Sequence, residues 1–413
     1  MVKINSSVAA LTLLAVMQPA VAQNSRDGFI YGTITTDKGE EVSGVLRWDD
    51  EESYWHDQFN GLRDGMPHLK NLAEADQETV KGMTPGPEIE LFGMQIEFIN
   101  FFSDEPDPKM ADYRFGDIAE IKVLREERVE VTFNGGEKVT LIGGSNDFDV
   151  DVQLRRADGG TTEYDWDDIE KVTLSAGPES MQPFGQALTG TVRTENAGTF
   201  VGTIQWDHDE RLGFEELDGE VDGVERAVPF SNLRSIERDY NRSKVTTKDG
   251  ETVVMTGTND VDDGNRGIIV DTGMYRVDMP WTEFVRADWD AEPTVVLPRS
   301  AFSPVRALRG TVRTQGGESY RGSIVWDIDE FLTADHLDGR SNGIEYFVPF
   351  ANITRIEAVE DNEVRVTLTD GQVLTLGRDR DVDGGNQGIA IYVEGQEKAQ
   401  YITRSVFASV DFE

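Results

Sequence analysis

The sequence predicts an all-β protein of three tandem modules that follow an export signal. Three observations support this fold class. Several motifs recur with a displacement of 120 residues. Asn-Gly and Asp-Gly pairs lie between short runs of β-branched residues, which is the pattern of β-hairpins. The chain has no cysteine, so burial or bound ions, and not disulfide bonds, must stabilise the modules of an exported protein.

The charge balance excludes several classes of function. The 413 residues include 39 Lys and Arg against 78 Asp and Glu, which gives a net charge of −39. Nucleic acid is therefore not expected as a partner, because binding to phosphate backbones needs clustered basic side chains. The lack of cysteine excludes thiolate zinc sites and cysteine nucleophiles. A hydrophobic content of 38% predicts folded cores rather than a disordered acidic polymer.

Residues 1–22 have the pattern of a secretory signal peptide. Lys3 supplies a positive charge, residues 8–17 form a short apolar run, and Ala20 and Ala22 precede a cleavage site before Gln23. The apolar run has about half of the roughly 20 residues that a spanning helix needs. The sequence therefore predicts an exported protein, in the periplasm, at the outer surface or outside the cell, with no transmembrane segment after cleavage.

The repeat divides the mature chain into three modules. The motif Trp-Asp-x-Asp-Glu begins at Trp206 and at Trp326, and a related Trp-Asp-Asp-Glu-Glu begins at Trp48. A later aromatic residue, Phe230, lies 24 positions after Trp206 in the second copy, whereas its counterpart Phe115 lies 67 positions after Trp48 in the first. The first copy therefore carries 43 additional residues between these two positions. The predicted modules are residues 23–174 with an insertion at 55–108, residues 188–289 and residues 308–413. Segments rich in Pro, Gly and Ser separate them, as linkers do.

Each module is predicted to consist of two halves made of short strands. Hairpin pairs open the second halves at Asn134-Gly135, Asp249-Gly250 and Asp370-Gly371. Most halves end on an aromatic residue with apolar residues three and six positions later, as in Phe230, Leu233 and Ile236. One helical turn feeding a last strand would place those side chains on one inner face. This layout resembles SH3-like and Sm-like barrels, which implies a β-barrel or β-meander in each half and carries no RNA-binding function.

Acidic loops in the second halves are candidate calcium sites. In the third module, carboxylates alternate before Gly384, and a curved loop of this kind can direct them at one hard cation. The candidate metal ligands of the three modules are Asp379, Asp381, Asp383, Asp260, Asp262, Asp147, Asp149 and Asp151. The twelfth position counted from Asp379 is Ala390 rather than the Glu of an EF-hand, so only half of that motif is matched. The alternative is an acidic hairpin loop whose side chains cap their own turns.

The Trp-Asp-x-Asp-Glu strand end is a second candidate. Asp207, Asp209 and Glu210 could bind a cation, or act as paired acid and base on a glycoside. Three copies of the same acidic element favour a structural role, with Trp206 and Trp326 in the core and the acids at a turn. The neighbouring His208 is replaced by Asp50 and Ile328 in the other copies, so a histidine-based site has no repeated support.

The insertion is where the modules stop being alike. Residues 88–91 and 95–102 read as strands, and residues 71–83 as a short helix. An element that is not repeated is a reasonable place for a partner contact. The alternative is a cap, which would cover an apolar face that the other modules cover with each other.

Taken together, these patterns predict an exported, non-enzymatic tandem-repeat protein that acts as a binding or scaffolding array at the cell envelope. Calcium is its candidate cofactor, and an envelope protein or a glycan its candidate partner. The alternative function is a carbohydrate-active hydrolase that uses paired carboxylates.

Overall fold

The computed structural model describes residues 28–49, 51–63, 66–83, 89–91, 94–96, 109–125, 127–145, 147–178, 180–289, 296–360 and 362–413. It confirms the all-β class, because these residues form 32 strands in antiparallel sheets and a single α-helix. Within the same ranges, no helix has the length and apolar character that crossing a membrane requires. The predicted signal peptide, residues 1–22, lies outside the described residues.

The strands are described in three sets in chain order, one for each predicted module. Set 1 comprises β1 (Tyr31–Thr36), β2 (Glu41–Trp48), β3 (Gln58–Arg63), β4 (Ile89–Leu91), β5 (Met94–Ile96), β6 (Met110–Arg114), β7 (Ile118–Arg125), β8 (Arg128–Phe133), β9 (Lys138–Ile142), β10 (Val152–Arg155), β11 (Thr161–Tyr164) and β12 (Ile169–Leu174). Set 2 comprises β13 (Thr189–Thr194), β14 (Thr199–Trp206), β15 (Glu216–Val221), β16 (Val224–Pro229), β17 (Leu233–Arg238), β18 (Ser243–Thr247), β19 (Thr252–Met255), β20 (Ile268–Asp271), β21 (Arg276–Met279) and β22 (Phe284–Trp289).

Set 3 comprises β23 (Arg309–Thr314), β24 (Ser319–Val325), β25 (His336–Ser341), β26 (Ile344–Pro349), β27 (Ile353–Glu360), β28 (Glu363–Leu368), β29 (Val373–Gly377), β30 (Ile389–Val393), β31 (Gln400–Ile402) and β32 (Phe407–Phe412). The α-helix is α1 (Glu74–Lys81). Short 3-10 helices span Leu69–Asn71, Phe115–Asp117, Trp166–Asp168, Phe230–Asn232, Arg299–Ala301, Phe350–Asn352 and Arg404–Val406. Five of these turns directly precede a strand where the aromatic spacing predicts a helical turn. Four begin at Phe115, Trp166, Phe230 and Phe350, and the fifth begins at Arg404, which stands where the other halves have an aromatic residue.

In each set, the strands of the two predicted halves exchange partners. In set 3, β24 of the first half pairs with β30 of the second, and β32 lies between β23 and β27. The corresponding pairs are β2 with β10 in set 1 and β14 with β20 in set 2. The third strand of the first half likewise joins the second half, as β3 with β9 and β25 with β29. The pairing therefore differs from a meander confined to one half.

The turn after the second strand explains this exchange. The Trp206 amide donates to the Glu210 carbonyl at 2.7 Å, so the chain folds back on β14 for a single residue pair. Asp207 and His208 have φ of 51° and 64°, and two successive left-handed residues turn the chain out of the sheet. The edge of β14 is thus left for β20, which arrives later in the sequence.

The three predicted hairpins form, with a difference in turn type. β8 pairs with β9, β18 with β19, and β28 with β29. The strand ranges leave four residues in each loop, and the third is a left-handed glycine, Gly250 and Gly371 with φ of 94° and 88°. In set 1 this residue is Gly136, with φ of 94°, so Asn134-Gly135 does not form a two-residue turn.

The three sets pack against one another. Sets 2 and 3 share one hydrophobic core, and all their strands except the pair β15–β16 form one sheet, joined where Val277 of β21 lies opposite Tyr346 of β26. Set 1 has a second core, to which Phe302 and Val305 of the segment after set 2 and Leu332 and Ala334 of set 3 contribute. That segment, which composition predicts to be a linker, therefore attaches to set 1 over part of its length.

The insertion is shorter than the predicted residues 55–108. Gln58 lies opposite Arg114 in the β3–β6 pair, as Glu216 lies opposite Pro229 in β15–β16. Residues 58–63 therefore belong to the repeated pattern, and the additional residues lie between β3 and β6. The predicted helix is α1, and the predicted strands are represented by β4 and β5, whereas residues 97–108 lie outside the described residues.

The described part of the insertion covers set 3. Leu69, Leu72 and Val80 are buried in one cluster with Val325 and Ile328. At the edge of this cluster, His68 Nδ1 and Asn71 Nδ2 lie 2.9 and 2.8 Å from the Tyr392 hydroxyl. The Ala399 amide donates to the Asn71 carbonyl at 3.2 Å. The described part of the insertion therefore joins set 1 to set 3, and both its interpretations, as a partner contact and as a cap, stay predictions.

Candidate functional site

The two acidic candidates of the sequence meet in every set. Trp48 and Trp206 end β2 and β14, Trp326 directly follows β24, and all three rings are fully buried. Their indole Nε1 atoms donate to backbone carbonyls of the acidic loops, to Asp147 at 3.1 Å, Asp260 at 2.8 Å and Asp381 at 2.9 Å. The Trp-Asp turn and the acidic loop are therefore two sides of one structural element.

The same loop residues also hold the third strand of each set. Asp147 Oδ2 accepts the Asn60 amide at 2.6 Å, Asp260 Oδ2 the Asp218 amide at 2.7 Å, and Asp381 Oδ2 the Asp338 amide at 3.0 Å. Three of the eight predicted metal ligands thus have one equivalent position and one equivalent bond. In each of them one carboxylate oxygen accepts a backbone hydrogen bond from β3, β15 or β25.

The other predicted ligands are used separately. Asp262 and Asp383 accept the amides of Gly264 at 2.9 Å and Gly385 at 2.7 Å, which are local caps of their own turns. Asp379 accepts the Asp381 amide at 3.3 Å. Asp149, with φ of 58°, and Asp151 are exposed. Asp262 and Asp383 therefore make the bonds of the self-capping interpretation.

A glutamate completes the element, and the set of predicted ligands does not include it. Glu52, Glu210 and Glu330 close the Trp-Asp turns through their backbone carbonyls. In set 3, carboxylate oxygens of Asp327, Glu330 and Asp381 all lie within 4.8 Å of one another. Asp327 and Glu330 belong to the Trp-Asp-x-Asp-Glu motif, which is itself a predicted cation site. Nothing in this motif indicates that Asp381 lies next to them.

Burial controls the protonation of these carboxyl groups. Burial, reinforced by Asp260, raises the pKa of Glu210 to about 9, and burial raises the pKa of Asp260 to about 6. Burial and the nearby Asp381 raise the pKa of Glu330 well above its usual range. Burial, with the nearby Asp147, has the same effect on the pKa of Glu52. Each set thus contains a glutamate whose ionised form is disfavoured.

Set 3 receives cations from set 1. Lys109 Nζ lies 2.8 Å from Asp327 Oδ2. Arg63 places its two terminal nitrogens 3.0 Å from Asp329 and 2.7 Å from Asp335. Both cations flank the strand pair β3–β6, next to the insertion, and both are buried. The ion pairs therefore fix set 1 on the acidic turn of set 3.

Burial affects Asp207, one of the three proposed hydrolase residues, and its counterpart Asp327 in set 3. Asp207 is fully buried, and Arg266 binds it through Nη2 at 2.9 Å and through its amide at 2.6 Å. Its counterpart Asp327 is also fully buried and is held by Lys109. Asp207 and Asp327 are equivalent residues of two modules, and both are turned into the protein. The other hydrolase candidates of set 2 are Asp209, whose side chain is 46% exposed, and Glu210, so the hydrolase stays a prediction.

The raised pKa of Glu210 predicts how stability depends on pH. Below the usual value of 4.5 the carboxyl group is protonated in both states, whereas between 4.5 and about 9 only the folded state holds the proton. Stability from this group is therefore present at low pH and is lost as the pH rises. Glu210→Gln, which cannot titrate, is expected to lose less stability between pH 5 and pH 9 than the wild type in urea titrations. An equal change of the free energy of unfolding with pH in both proteins would contradict the raised pKa of Glu210.

No protein-family model and no curated protein matches the chain. Among solved structures, one described as a streptogramin B lyase structure aligns with 9% identity over 72% of this chain and 94% of its own, with a TM-score of 0.12. A score at this level carries no conclusion about fold or function.

Proposed function

We propose that the protein is an exported, non-enzymatic scaffold at the cell envelope, in which three tandem modules form one rigid body. The ion pairs between the strand sets are the observation that carries this proposal. Arg63 and Lys109 of set 1 form buried ion pairs with Asp329 and Asp327 of set 3. Removing one partner of such a pair lowers the free energy of unfolding strongly, because the other charge stays buried. A chain with this arrangement is built to keep its modules in a fixed relation.

The contact between sets 1 and 2 supports the same proposal. Arg211 is buried, and its guanidinium lies 3.0 Å from Asp57 Oδ2. The Tyr54 hydroxyl donates to the Arg211 carbonyl at 3.0 Å. In the opposite direction, Arg47 of set 1 lies 2.5 Å from Glu215 of set 2. Each of the two sets therefore supplies an arginine to a carboxylate of the other.

The proposed modules are pairs of interleaved SH3-like halves. In this interpretation each half supplies its first two strands to one five-strand sheet and its last three to another, as the pairs β24–β30 and β25–β29 illustrate. The exchange makes the two halves of a module inseparable, which suits a domain of cysteine-free small barrels. Export rests on the signal pattern of residues 1–22, and the candidate partner is an envelope protein or a glycan.

The exposed surface of set 2 is the proposed binding surface for that partner. Among the described residues, it carries five of the nine large apolar side chains that are exposed: Val201, Phe214, Val224, Tyr240 and Val254. Tyr240 is the most exposed, at 91%, on the hairpin between β17 and β18. Aromatic side chains are enriched at protein interfaces because they bring a large contact area at low entropic cost.

Asp207→Asn and Asp327→Asn test the scaffold against the hydrolase. Both variants are expected to melt at lower temperature than the wild type, and neither they nor the wild type should cleave a panel of glycans. The loss should be larger for Asp327→Asn, about 3–5 kcal/mol, because Lys109 would remain buried beside a neutral amide. Arg266 in the other pair is 41% exposed and can regain water.

The two functions give opposite results in this experiment. Glycan cleavage by the wild type, lost in Asp207→Asn at an unchanged melting temperature, would establish the hydrolase and overturn the scaffold. Lowered melting temperatures without any cleavage would support the scaffold.

A further inference from the structure

The carboxylate cluster of set 3 has the composition of a cation site. Carboxylate oxygens of Asp327, Glu330 and Asp381 approach one another within 4.8 Å, which is a spacing that oxygens around one metal ion can adopt. Their side chains are 0%, 9% and 8% exposed. Ligands that are all oxygen favour a hard cation such as Ca²⁺ or Mg²⁺.

An unsatisfied buried atom is the second, independent observation. Glu330 Oε2 accepts no hydrogen bond from the described residues, although the side chain is more than nine-tenths buried. A buried carboxylate oxygen without a partner is strongly disfavoured. Next to this cluster, Asp338 Oδ1 is also buried without a hydrogen-bond partner among those residues. Glu330 Oε2 and Asp338 Oδ1 can thus accept a further partner, whereas Asp327 already accepts the Gln387 amide and Lys109.

The charges of this region favour a cation. Five buried carboxyl groups lie here, Asp327, Asp329, Glu330, Asp335 and Asp381, with Asp338 beside them. Three cationic side chains reach them: Arg63, Lys109 and Arg380. When the carboxyl groups are ionised they outnumber these cations, and a bound divalent cation would offset part of the excess negative charge.

We propose that Asp327, Glu330 and Asp381 bind one divalent cation, of which Ca²⁺ fits best, because it accepts irregular carboxylate geometry whereas Mg²⁺ demands a regular octahedron. The inference rests on the proposed scaffold and deepens it, since the ion would fix the acidic turn of set 3 where set 1 docks. It moves the predicted calcium site away from Asp379 and Asp383, and it retains only Asp381 of the loop residues.

The equivalent glutamate of set 2 provides a matched control. In set 2, Arg266 binds both Asp207 and Asp209. The counterparts of the cluster, Asp207, Glu210 and Asp260, do not approach one another as closely as the three carboxyl groups of set 3. Glu210 Oε2 is buried without a hydrogen-bond partner among the described residues, as Glu330 Oε2 is, so the close approach of three carboxylates is what distinguishes set 3. Glu210→Gln therefore makes the same chemical change as Glu330→Gln at a position where no ion is proposed.

Thermal melts of the full mature chain at fixed ionic strength test the site. The wild type, freed of metal by a chelator, is expected to gain melting temperature in a saturable way as CaCl₂ is added. Glu330→Gln should lose this gain, and it should melt no lower than the wild type without metal, because an amide costs less to bury than a carboxylate. Glu210→Gln should keep the gain.

Tb³⁺ luminescence reports on the same site without depending on stability. Trp326 donates to the Asp381 carbonyl at 2.9 Å, so an ion in the cluster would lie close enough for the indole to sensitise its emission. Emission on tryptophan excitation is expected in the wild type, should fall when Ca²⁺ is added, and should be lost in Glu330→Gln.

Several results would overturn the site. An unchanged wild-type melt together with absent Tb³⁺ emission would do so, and so would a calcium gain that survives in Glu330→Gln. A gain lost in Asp383→Asn but kept in Glu330→Gln would place the ion in the loop instead. None of these results bears on glycan cleavage, so failure of the site is distinguishable from failure of the scaffold.

Discussion

Replacing Arg63 with alanine is expected to lower the free energy of unfolding by about 3–5 kcal/mol. Arg63 is buried at the end of β3, and its guanidinium binds Asp329 and Asp335 of set 3 at 3.0 and 2.7 Å. Removing it deprives Asp335 of its cation and leaves Asp329 with Lys109, 3.9 Å away. The Tyr113 hydroxyl, 2.6 Å from the guanidinium, loses its partner as well. Chemical denaturation at neutral pH measures the loss.

Arg238→Ala is the matched control for this prediction. Arg238 binds Glu195 at 2.7 Å, but the Glu195 side chain is 53% exposed, so water can replace the pair and the expected cost is within about 1 kcal/mol. Arg63→Lys should lie between the two, because one ammonium group keeps the charge but cannot reach both carboxylates as the planar guanidinium does. Similar losses for Arg63→Ala and Arg238→Ala would show that the contact between sets 1 and 3 does not stabilise the fold.

The strands were readable from the sequence because their signals are local. The Asp-Gly pairs at Gly250 and Gly371, and the spacing of Phe230, Leu233 and Ile236, depend on neighbouring residues only, and the structure confirms hairpins and helical turns at both kinds of site. Strand partners are a different matter. Alternating burial in β24 is satisfied equally by a partner from its own half or by β30, so the pattern does not indicate the exchange.

The candidate site shows the same division between local and distant information. The sequence identified Asp147, Asp260 and Asp381 as residues of equivalent acidic loops, because the loops repeat. It did not indicate their bonds to the Trp-Asp turns, since Trp326 and Asp381 are 55 residues apart. The contact from Arg63 to Asp335 spans 272 residues, and Arg63 lies next to an insertion with no counterpart in the other copies. Periodicity carries no signal for a contact that occurs once.

Truncating the buried tryptophans is the second change expected to have a large effect. Trp326→Ala and Trp206→Ala should each cost about 3–5 kcal/mol, because each removes a fully buried ring and leaves a cavity. The ring of Trp326 packs edge-on against Phe407, and that of Trp206 against Phe284, at centroid distances of 5.3 and 5.2 Å. Similar surroundings predict similar losses, which urea titration of both variants would measure.

The phenylalanine variants separate the indole hydrogen bond from the volume of the ring. In set 3 the Asp381 carbonyl also accepts Asn386 Nδ2 at 2.9 Å, so Trp326→Phe leaves this oxygen with a donor. In set 2 the equivalent Asn265 Nδ2 is buried without a hydrogen-bond partner among the described residues, and the Asp260 carbonyl depends on the Trp206 indole. Trp206→Phe should therefore be the more costly by about 1–3 kcal/mol, the penalty of an unsatisfied buried acceptor. Equal costs would mean that Asn265 turns to replace the indole, and that the bond between turn and loop is not what makes the tryptophan indispensable.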